Sequence, residues 1–302
     1  MKNNKVILIS KEESDIRIDR WLKKKFSLTQ NFIENNLRKG NIKVNRKKTK
    51  SNYRLLYKDK LYIFNFSNII LINNNKIITK KIPKHLISKF KKSILFDSQN
   101  FLILNKWEGI STQGGKKTGI SINDLIKKIS SDYNLVHRLD KDTTGLLIVS
   151  KNYQTTKIFG KLFKENQINK KYLAICDGIP KNKSSTVKLN LKNKKNNSYE
   201  SITKYKILKI YDKKTLIVFT PITGRTHQLR IVSKYLNCPI MGDIKYNSAK
   251  NKFKYKLMLN AYSLNFKIHG KKYEYFSNLP YYMKNILNKM NISEKNIMIK
   301  NY

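Results

Sequence analysis

The charged stretch at residues 137–145 is followed directly by an apolar run. This pattern constrains the fold more strongly than any other feature of the sequence. The stretch holds a histidine, an arginine and two aspartates within six residues. The four residues after it, Leu146–Val149, are all aliphatic and predict a short buried strand. Because charge of this density is disfavoured in a core, the stretch predicts a loop that presents Asp140 beside Arg138 at a strand end. Such a carboxylate is either an ion-pair anchor or a reacting group.

The net charge of the chain indicates a polyanionic partner. Lysine and arginine total 64 against 19 aspartates and glutamates, which gives a formal charge of +45. Nucleic acid is the first expectation from such a surplus, and acidic lipid is the second. The abundance of lysine, asparagine and isoleucine also matches AT-rich codons, so part of the lysine excess is open to a codon-usage explanation.

The eight arginines are more informative than the lysines because their distribution is uneven. Where a chain otherwise uses lysine, arginine is typical of places that need a planar, bidentate guanidinium. Five arginines precede residue 55, and the remaining three are Arg138, Arg225 and Arg230. The three later arginines lie in two polar stretches, residues 137–145 and 224–230.

Cysteine usage and hydropathy favour a reducing compartment. Cys176 and Cys238 are distant in sequence and lack metal-ligand spacing, and no histidine or cysteine cluster predicts a zinc site. The apolar run Val6–Ile9 is too short for a signal peptide, and the isoleucine-rich stretch at 69–78 is too short to span a bilayer. We expect a cytoplasmic protein without a membrane segment, and an organellar location is the alternative.

Composition predicts two folded parts in this chain of 302 residues. We expect a compact α+β unit over residues 14–65, a Lys- and Asn-rich linker over 66–92, a catalytic-sized domain over 93–285 and a C-terminal tail over 286–302. In the larger domain, strand patterns outnumber helix patterns and do not alternate strictly with them. This favours an α+β fold with a mixed, mostly antiparallel sheet.

Two helix signals and a basic turn characterise the N-terminal unit. Asp19 and Thr29 are placed to cap two short helices, and Gly40 suits the left-handed position after the second. Alternating apolar residues predict short strands at 42–44 and 61–63. Basic residues gather at the end of the second helix and in the following turn, as in phosphate contacts and equally in solvated surfaces. The candidate RNA contacts are Arg20, Arg38, Lys39, Lys43, Arg46 and Lys47.

Further polar motifs lie in the larger domain. Residues 224–230 bring two guanidiniums, an imidazole and an amide together, and Gly224 is expected to permit an unusual backbone angle. Tyr172 follows a basic turn at residues 169–171 and is predicted to lie at the start of a strand. The glycine loop 113–117 lacks the Gly-Lys-Ser/Thr ending of a nucleotide loop, so its amides are expected to hold an RNA phosphate instead.

Each motif has an ordinary structural explanation when taken alone. Asp140 beside an arginine is commonly an ion pair, His227 is commonly a hydrogen-bonded structural histidine, and Tyr172 is commonly a strand packing residue. Together, however, the motifs resemble the RluA-type family of pseudouridine synthases over about residues 93–265. Residues 137–145 match the family pattern His-Arg-Leu-Asp, which is followed by Ser/Thr and Gly. Residues 224–230 match the family pattern Gly-Arg-Thr-His-Gln-Leu-Arg.

The resemblance extends beyond these two motifs. Residues 171–174 and 242–246 fit the family, and Val232, Asn247 and Asn260 depart from its pattern. The Gly114-Gly115 loop is most similar to the large-subunit synthase C branch. Residues 14–65, with Asp19-Arg20-Trp21-Leu22 and Ile42-Lys43-Val44-Asn45, resemble the S4 RNA-binding domain.

The resemblance implies isomerisation of uridine to pseudouridine in structured RNA, above all in large-subunit (23S) ribosomal RNA. Nothing is added or removed, so no metal or other cofactor is implied. Asp140 would be the essential carboxylate, Arg225 its charge partner, and Tyr172 the ring against the uracil. Arg138 would fill the stack from which the base is extruded. Other implied RNA contacts are His137, His227, Leu229, Arg230, Gly114, Gly115 and Lys116.

Two other functions remain open from the sequence. A non-catalytic RNA-binding or ribosome-assembly protein would need the S4-like unit, but not Asp140, Arg225 and Tyr172 together. The same chemistry acting on transfer RNA is the second alternative. A role on DNA is disfavoured because no recognition-helix pattern stands out. We expect the protein to act as a monomer.

Overall fold

A computed structural model describes residues 4–26, 28–65, 82–115, 119–192, 196–248, 254–293 and 297. The chain divides into two compact units, Met1–Thr79 and Lys80–Tyr302. No helix in the described ranges is long and apolar enough to cross a bilayer.

The first unit packs two helices against a small antiparallel sheet. Its strands β1 (Lys5–Leu8), β2 (Ile42–Val44) and β3 (Lys60–Ile63) lie in the order β1-β3-β2, and its helices are α1 (Ile18–Phe26) and α2 (Gln30–Lys39). The helices bury Trp21, Leu22, Ile33 and Leu37 against the strands. The unit therefore begins at β1, before the predicted boundary at residue 14.

The helix ends of this unit match the sequence only in part. Gly40 follows α2 with a φ of +79°, as predicted, and its N–H donates to the Leu37 carbonyl. Thr29 stands at the N-cap of α2 but makes no side-chain cap. The expectation for Asp19 is wrong, because it lies inside the first turn of α1 and accepts hydrogen bonds from Arg17 and Gln30.

The second unit is built on a large mixed sheet. Its strands are β4 (Ile94–Asp97), β5 (Phe101–Lys106), β6 (Asn134–Leu135), β7 (Thr144–Ser150), β8 (Asn169–Asp177), β9 (Ser184–Lys192), β10 (Ser198–Tyr211), β11 (Lys214–Pro221), β12 (Leu259–Ile268) and β13 (Lys271–Phe276). Their order is β4-β5-β7-β12-β8-β11-β10-β9, with β13 beside β12 and β6 beside β7. Among the described strands only β7 and β12 pair in parallel, so the prediction of a mixed, mostly antiparallel sheet is confirmed.

Helices cover both faces of this sheet. They are α3 (Lys84–Lys92), α4 (Ile122–Ile129), α5 (Tyr153–Lys164), α6 (Gln228–Tyr235) and α7 (Tyr281–Lys289). Successive residues of a strand point to opposite faces, so β7 places Leu147 and Val149 against α4, and Leu146 and Ile148 against Phe159 of α5. Every β7 residue is therefore buried, which explains the unbroken aliphatic run.

Two predicted boundaries of the larger domain are wrong. The linker prediction fails at α3, where Phe90 is buried and Leu86 packs at its side in the same core; residues 66–81 of that linker lie outside the described ranges. The tail prediction fails because residues up to 289 belong to α7, and Met290 and Ile292 are buried. Lysine-rich composition concealed apolar residues that recur at helical spacing in α3.

Gly145 fixes the approach of β7 to β12. It has a φ of +105°, and a Cβ atom there would lie 2.3 Å from the Ala261 carbonyl oxygen. Only glycine fits both this backbone angle and this close contact. The glycine at the end of the charged motif therefore allows the parallel pairing that places the Asp140 loop at one end of the sheet.

Candidate active site

A cavity of about 130 Å³ opens where the Asp140 loop, the start of β8 and the segment before α6 meet. A cavity of roughly 150 Å³ holds a benzene ring, so this one suits a single planar base. Its lining residues are Arg138, Leu139, Asp140, Thr143, Lys170, Tyr172, Pro221, Thr223, Gly224, Arg225, Thr226, His227, Gln228, Leu229, Arg230 and Leu259. The structure thus brings the separate sequence motifs together around one cavity.

The loop that carries Asp140 is held on both sides of that residue. Thr112 donates its hydroxyl to the Leu139 carbonyl at 2.6 Å and accepts from the Leu139 N–H at 3.1 Å. The Lys106 ammonium, only 1% exposed, donates to the carbonyls of Lys141, Ile110 and Trp107 at 2.9, 3.0 and 3.1 Å. Asp140 itself keeps a side chain that is 21% exposed.

The environment of Lys106 is unusual for a lysine. Burial lowers its pKa to about 7, against the attraction of Asp142, Asp140 and Glu108. The sequence analysis did not single out Lys106 or Thr112. A lysine at the end of an apolar strand is an inconspicuous signal in a chain with so many lysines, and a lone threonine carries no signal at all.

Arg230, and not Arg225, is the arginine beside Asp140. The Nη1 atom of Arg230 lies 3.5 Å from Oδ2 of Asp140, and the Nε2 atom of His227 lies 3.8 Å from the same oxygen. The prediction that Arg225 would be the charge partner is therefore wrong. Arg230 lies on α6, which points it at the Asp140 loop, whereas Arg225 precedes the helix.

A buried carboxylate fixes the guanidinium of Arg230. Asp243 accepts two hydrogen bonds from it, each at 2.7 Å, and also accepts from the backbone N–H groups of Lys245 and Tyr246. Burial raises the pKa of Asp243, but these hydrogen bonds and the charge of Arg230 outweigh burial and lower it. The Tyr246 ring lies beside the guanidinium at 5.1 Å, and its hydroxyl meets His227 Nδ1 at 3.0 Å.

Gln228 organises the segment between β11 and α6. Its Oε1 accepts from the backbone N–H of Arg225 at 2.9 Å, and its Nε2 donates to the Ile202 carbonyl and to Thr203 Oγ1 of β10. The turn is made by His227, whose φ is +55°. Gly224 is not in the left-handed region, so the expectation of an unusual angle there is wrong.

Tyr172 lies at the junction of two hydrophobic clusters and lines the cavity with Asp140. Burial raises the pKa of its phenol, and the Asp140 carboxylate raises it further. Tyr172 therefore stays protonated near neutral pH. It offers an aromatic face and a hydroxyl donor to a bound base, and is not suited to remove a proton as phenolate.

The other predicted site residues divide into two groups. Arg138 is exposed and Leu229 is buried, and both line the cavity. His137 does not line it, because Nε2 of His137 accepts the Ile148 N–H of β7 at 2.8 Å. Burial, aided by the charge of Lys170, lowers the pKa of His137 to about 3, so its ring is neutral and structural.

The glycine loop does not belong to the cavity lining. Gly114 and Gly115 are exposed, and neither lines the cavity. Lys116 lies outside the described residues. The predicted phosphate contact at this loop therefore stays a prediction.

The basic residues predicted in the first unit are largely exposed. Asn45 and Arg46 form a tight turn with φ values of +47° and +64°, and Arg46 lies beside the Tyr62 ring at 5.7 Å. Arg38 lines a groove with Lys48 and Lys50. Of the predicted contacts, Arg20, Arg38, Lys39, Arg46 and Lys47 are exposed, and Lys43 is half-buried.

The three departures from the family pattern are internal. Val232 is fully buried, Asn247 donates to Asp177 at 2.7 Å, and Asn260 donates to Thr144 Oγ1 at 2.9 Å. Asn260 also accepts from Ser277 at 2.5 Å. These three side chains are buried, so they take part in internal packing and hydrogen bonding.

The chain is similar in sequence to known proteins over most of its length. The family described as RNA pseudouridylate synthase matches residues 100–235. A ribosomal large subunit pseudouridine synthase C of Rickettsia bellii is 35% identical, covering 89% of this chain and 96% of that protein. The protein of the same name from Buchnera aphidicola subsp. Baizongia pistaciae is 37% identical over 85% of this chain and 88% of its own length.

The fold has a counterpart among solved structures. The human RNA pseudouridylate synthase domain containing 4 has a TM-score of 0.61 at 24% identity, covering 68% of this chain and 96% of that chain. At this level of identity the likeness concerns the fold alone. From the sequence relatives, the chain belongs to the RluA-type family of RNA pseudouridine synthases.

Proposed function

We propose that this enzyme converts specific uridines of large-subunit (23S) ribosomal RNA to pseudouridine, with Asp140 as the essential carboxylate. The observation that carries the role of Asp140 is its position in a base-sized cavity that Tyr172 also lines, 3.5 Å from Arg230. The ribosomal target is supported by the relatives from Rickettsia bellii and Buchnera aphidicola, which are ribosomal large subunit pseudouridine synthases C and match most of the chain.

The reaction rearranges the substrate without a net change in atoms. The bond between ribose C1′ and uracil N1 breaks, the uracil turns, and C1′ joins C5. The proton on C5 leaves and N1 gains one. Asp140 provides a carboxylate beside the cavity, and Nη1 of Arg230 lies 3.5 Å from its Oδ2 atom. Tyr172 packs against the uracil as a neutral phenol.

Access to the cavity requires the uridine to leave its stack. Extruding a base from structured RNA costs a few kcal/mol, which contacts elsewhere must offset. Arg138 is exposed at the cavity and precedes Asp140 by two residues, so its guanidinium is placed to fill the vacated stack. His227, Leu229 and Arg230 shape the floor of the same cavity.

We assign the remaining RNA affinity chiefly to the first unit, as an S4-type RNA-binding domain. Its two-helix, three-strand arrangement and its exposed basic turn support this assignment. We further propose a cytoplasmic, monomeric enzyme. Two buried free cysteines are compatible with the reducing conditions of the cytoplasm.

The function is tested by mapping pseudouridines in ribosomal RNA from cells that lack this protein. We expect one or more 23S positions to lose the modification and to regain it with the wild-type protein. The Asp140→Asn protein should not restore it. An unchanged ribosomal map would contradict the proposed target, and a loss confined to transfer RNA would move the substrate there. Restoration by Asp140→Asn would remove Asp140 from its role.

A further inference from the structure

Arg225 belongs to the best-matched motif of the chain, yet it does not pair with Asp140. It lines the cavity, and its guanidinium lies beside the ring of Tyr199 at 5.3 Å. Tyr199 comes from β10, which reaches the site through the β9–β10 hairpin. An arginine of the cavity rim is thus paired with an aromatic ring from a different element.

The position of Arg225 is fixed independently of any ligand. Its backbone N–H is held by Gln228, and its Nε donates to the Glu200 carbonyl at 3.1 Å. Thr223 Oγ1 accepts from the Ile202 N–H of β10 at 2.9 Å and joins the same segment to the hairpin strand. No described residue accepts from the terminal nitrogens of Arg225. The guanidinium is therefore preorganised while keeping donors available.

Tyr199 is open to solvent beside this fixed guanidinium. It is 41% exposed, although an aromatic ring gains from burial. An exposed ring next to an arginine at the edge of a base-sized cavity has the composition of a nucleic-acid stacking surface. Ring and guanidinium both stack on bases, and a guanidinium also binds phosphate.

We propose that Tyr199 and Arg225 form a stacking platform for the nucleotide that neighbours the extruded uridine. This inference rests on the proposed function. Extrusion of one nucleotide breaks its stacking with two neighbours. Arg138 is placed to cover one of them, so the other needs a surface of its own. Tyr199 offers that surface, and the free nitrogens of Arg225 meet the adjacent phosphate. Stacking of this kind tolerates any base, so it contributes affinity and placement more than sequence selection.

The test uses an RNA stem-loop built around a uridine that the wild-type enzyme modifies, with 2-aminopurine at each neighbouring position in turn. We expect wild-type enzyme to change the 2-aminopurine fluorescence at one of the two neighbours. Tyr199→Ala should abolish that change and raise KM by about 5- to 150-fold, the range for loss of one base–aromatic stack. The single-turnover rate at saturating enzyme should fall far less, because Tyr199 does not line the cavity.

Two further variants separate stacking from structure. Tyr199→Phe keeps the ring and should retain both the low KM and the fluorescence change. Tyr211→Ala is the matched control, since Tyr211 is 42% exposed on the same strand but lies at its opposite end. It should behave like the wild type.

The proposal is contradicted if Tyr199→Ala keeps the wild-type KM and fluorescence change, or if Tyr211→Ala loses as much as Tyr199→Ala. It also fails if Tyr199→Phe is as impaired as Tyr199→Ala. These outcomes are distinct from failure of the proposed function, because they are measured on RNA that the wild-type enzyme visibly modifies.

Discussion

Arg230 and Arg225 stand five residues apart on opposite sides of a backbone turn, and that turn separates their environments. Arg230 lies between Asp140 and the fully buried Asp243, whereas Arg225 faces β10 at the rim. The sequence identifies the motif but cannot distinguish the two guanidiniums. The left-handed backbone of His227 lies between them. Histidine adopts this conformation more often than most residues, but still too rarely for the sequence to predict it.

Loss of Arg230 is predicted to destabilise the second unit much more than loss of Arg225. Arg230→Gln leaves the carboxylate of Asp243, which is 0% exposed, without its partner, and breaking such a pair costs about 3–5 kcal/mol. Arg225→Gln loses one hydrogen bond to a carbonyl, worth about 1 kcal/mol. Urea unfolding of the two variants measures the difference. Equal losses would show that Asp243 does not depend on Arg230.

His137 is predicted to make stability depend on acid pH. Its folded-state pKa of about 3 lies below the ordinary value of 6.5, so its contribution is complete above pH 6.5 and declines as pH falls toward 3. Between pH 7 and 4.5 the wild type should lose roughly 2–3 kcal/mol more than His137→Gln. The measurement is the free energy of unfolding at both pH values. Parallel losses would indicate that His137 titrates normally.

At the scale of elements, β7 links the fold to the site. Its aliphatic run was readable from the sequence because both faces of the strand are buried. The pairing of β7 with β12 was not readable, since it depends on residues more than a hundred positions apart. Helix α3 was also missed, because its many lysines gave it the composition of a linker.

Gly145→Ala is predicted to disrupt the parallel pairing of β7 and β12. The new methyl group would overlap the Ala261 backbone at a φ that disfavours alanine, and we expect a loss of about 3 kcal/mol or more. The matched control is Gly160→Ala in α5, where nothing lies within 4 Å of the added carbon. The control should gain about 0.5–1 kcal/mol. Thermal denaturation compares them, and equal melting temperatures would contradict the close contact.

At the scale of the whole molecule, the excess of lysine and arginine over acidic residues is the reason to expect RNA binding. The sequence predicted a separate N-terminal unit with exposed basic residues, and the structure has such a unit. Composition alone could not show which of the many lysines contact RNA, because charge is spread along the entire chain.

Neutralising five basic residues at the end of α2, in β2 and in the turn after it is predicted to weaken the salt dependence of RNA binding. Replacing Arg38, Lys39, Lys43, Arg46 and Lys47 with glutamine should lower the slope of log affinity against log salt concentration by about 3.5, if each contact releases roughly 0.7 of a counterion. The affinity should be measured by titration from low to physiological salt. An unchanged slope at an unchanged melting temperature would place the main RNA contacts outside this unit.

We propose that Asp140 is the reacting carboxylate. Its most direct test is tritium release from [5-³H]uridine in a 23S transcript under single-turnover conditions, with Asp142→Asn as a neighbouring control. We predict that Asp140→Asn binds the transcript but releases tritium at least about 10⁴-fold more slowly, as for other essential catalytic groups. Asp142 is exposed and does not line the cavity, so Asp142→Asn should remain close to the wild-type rate. Release by Asp140→Asn at the wild-type rate would contradict the claim.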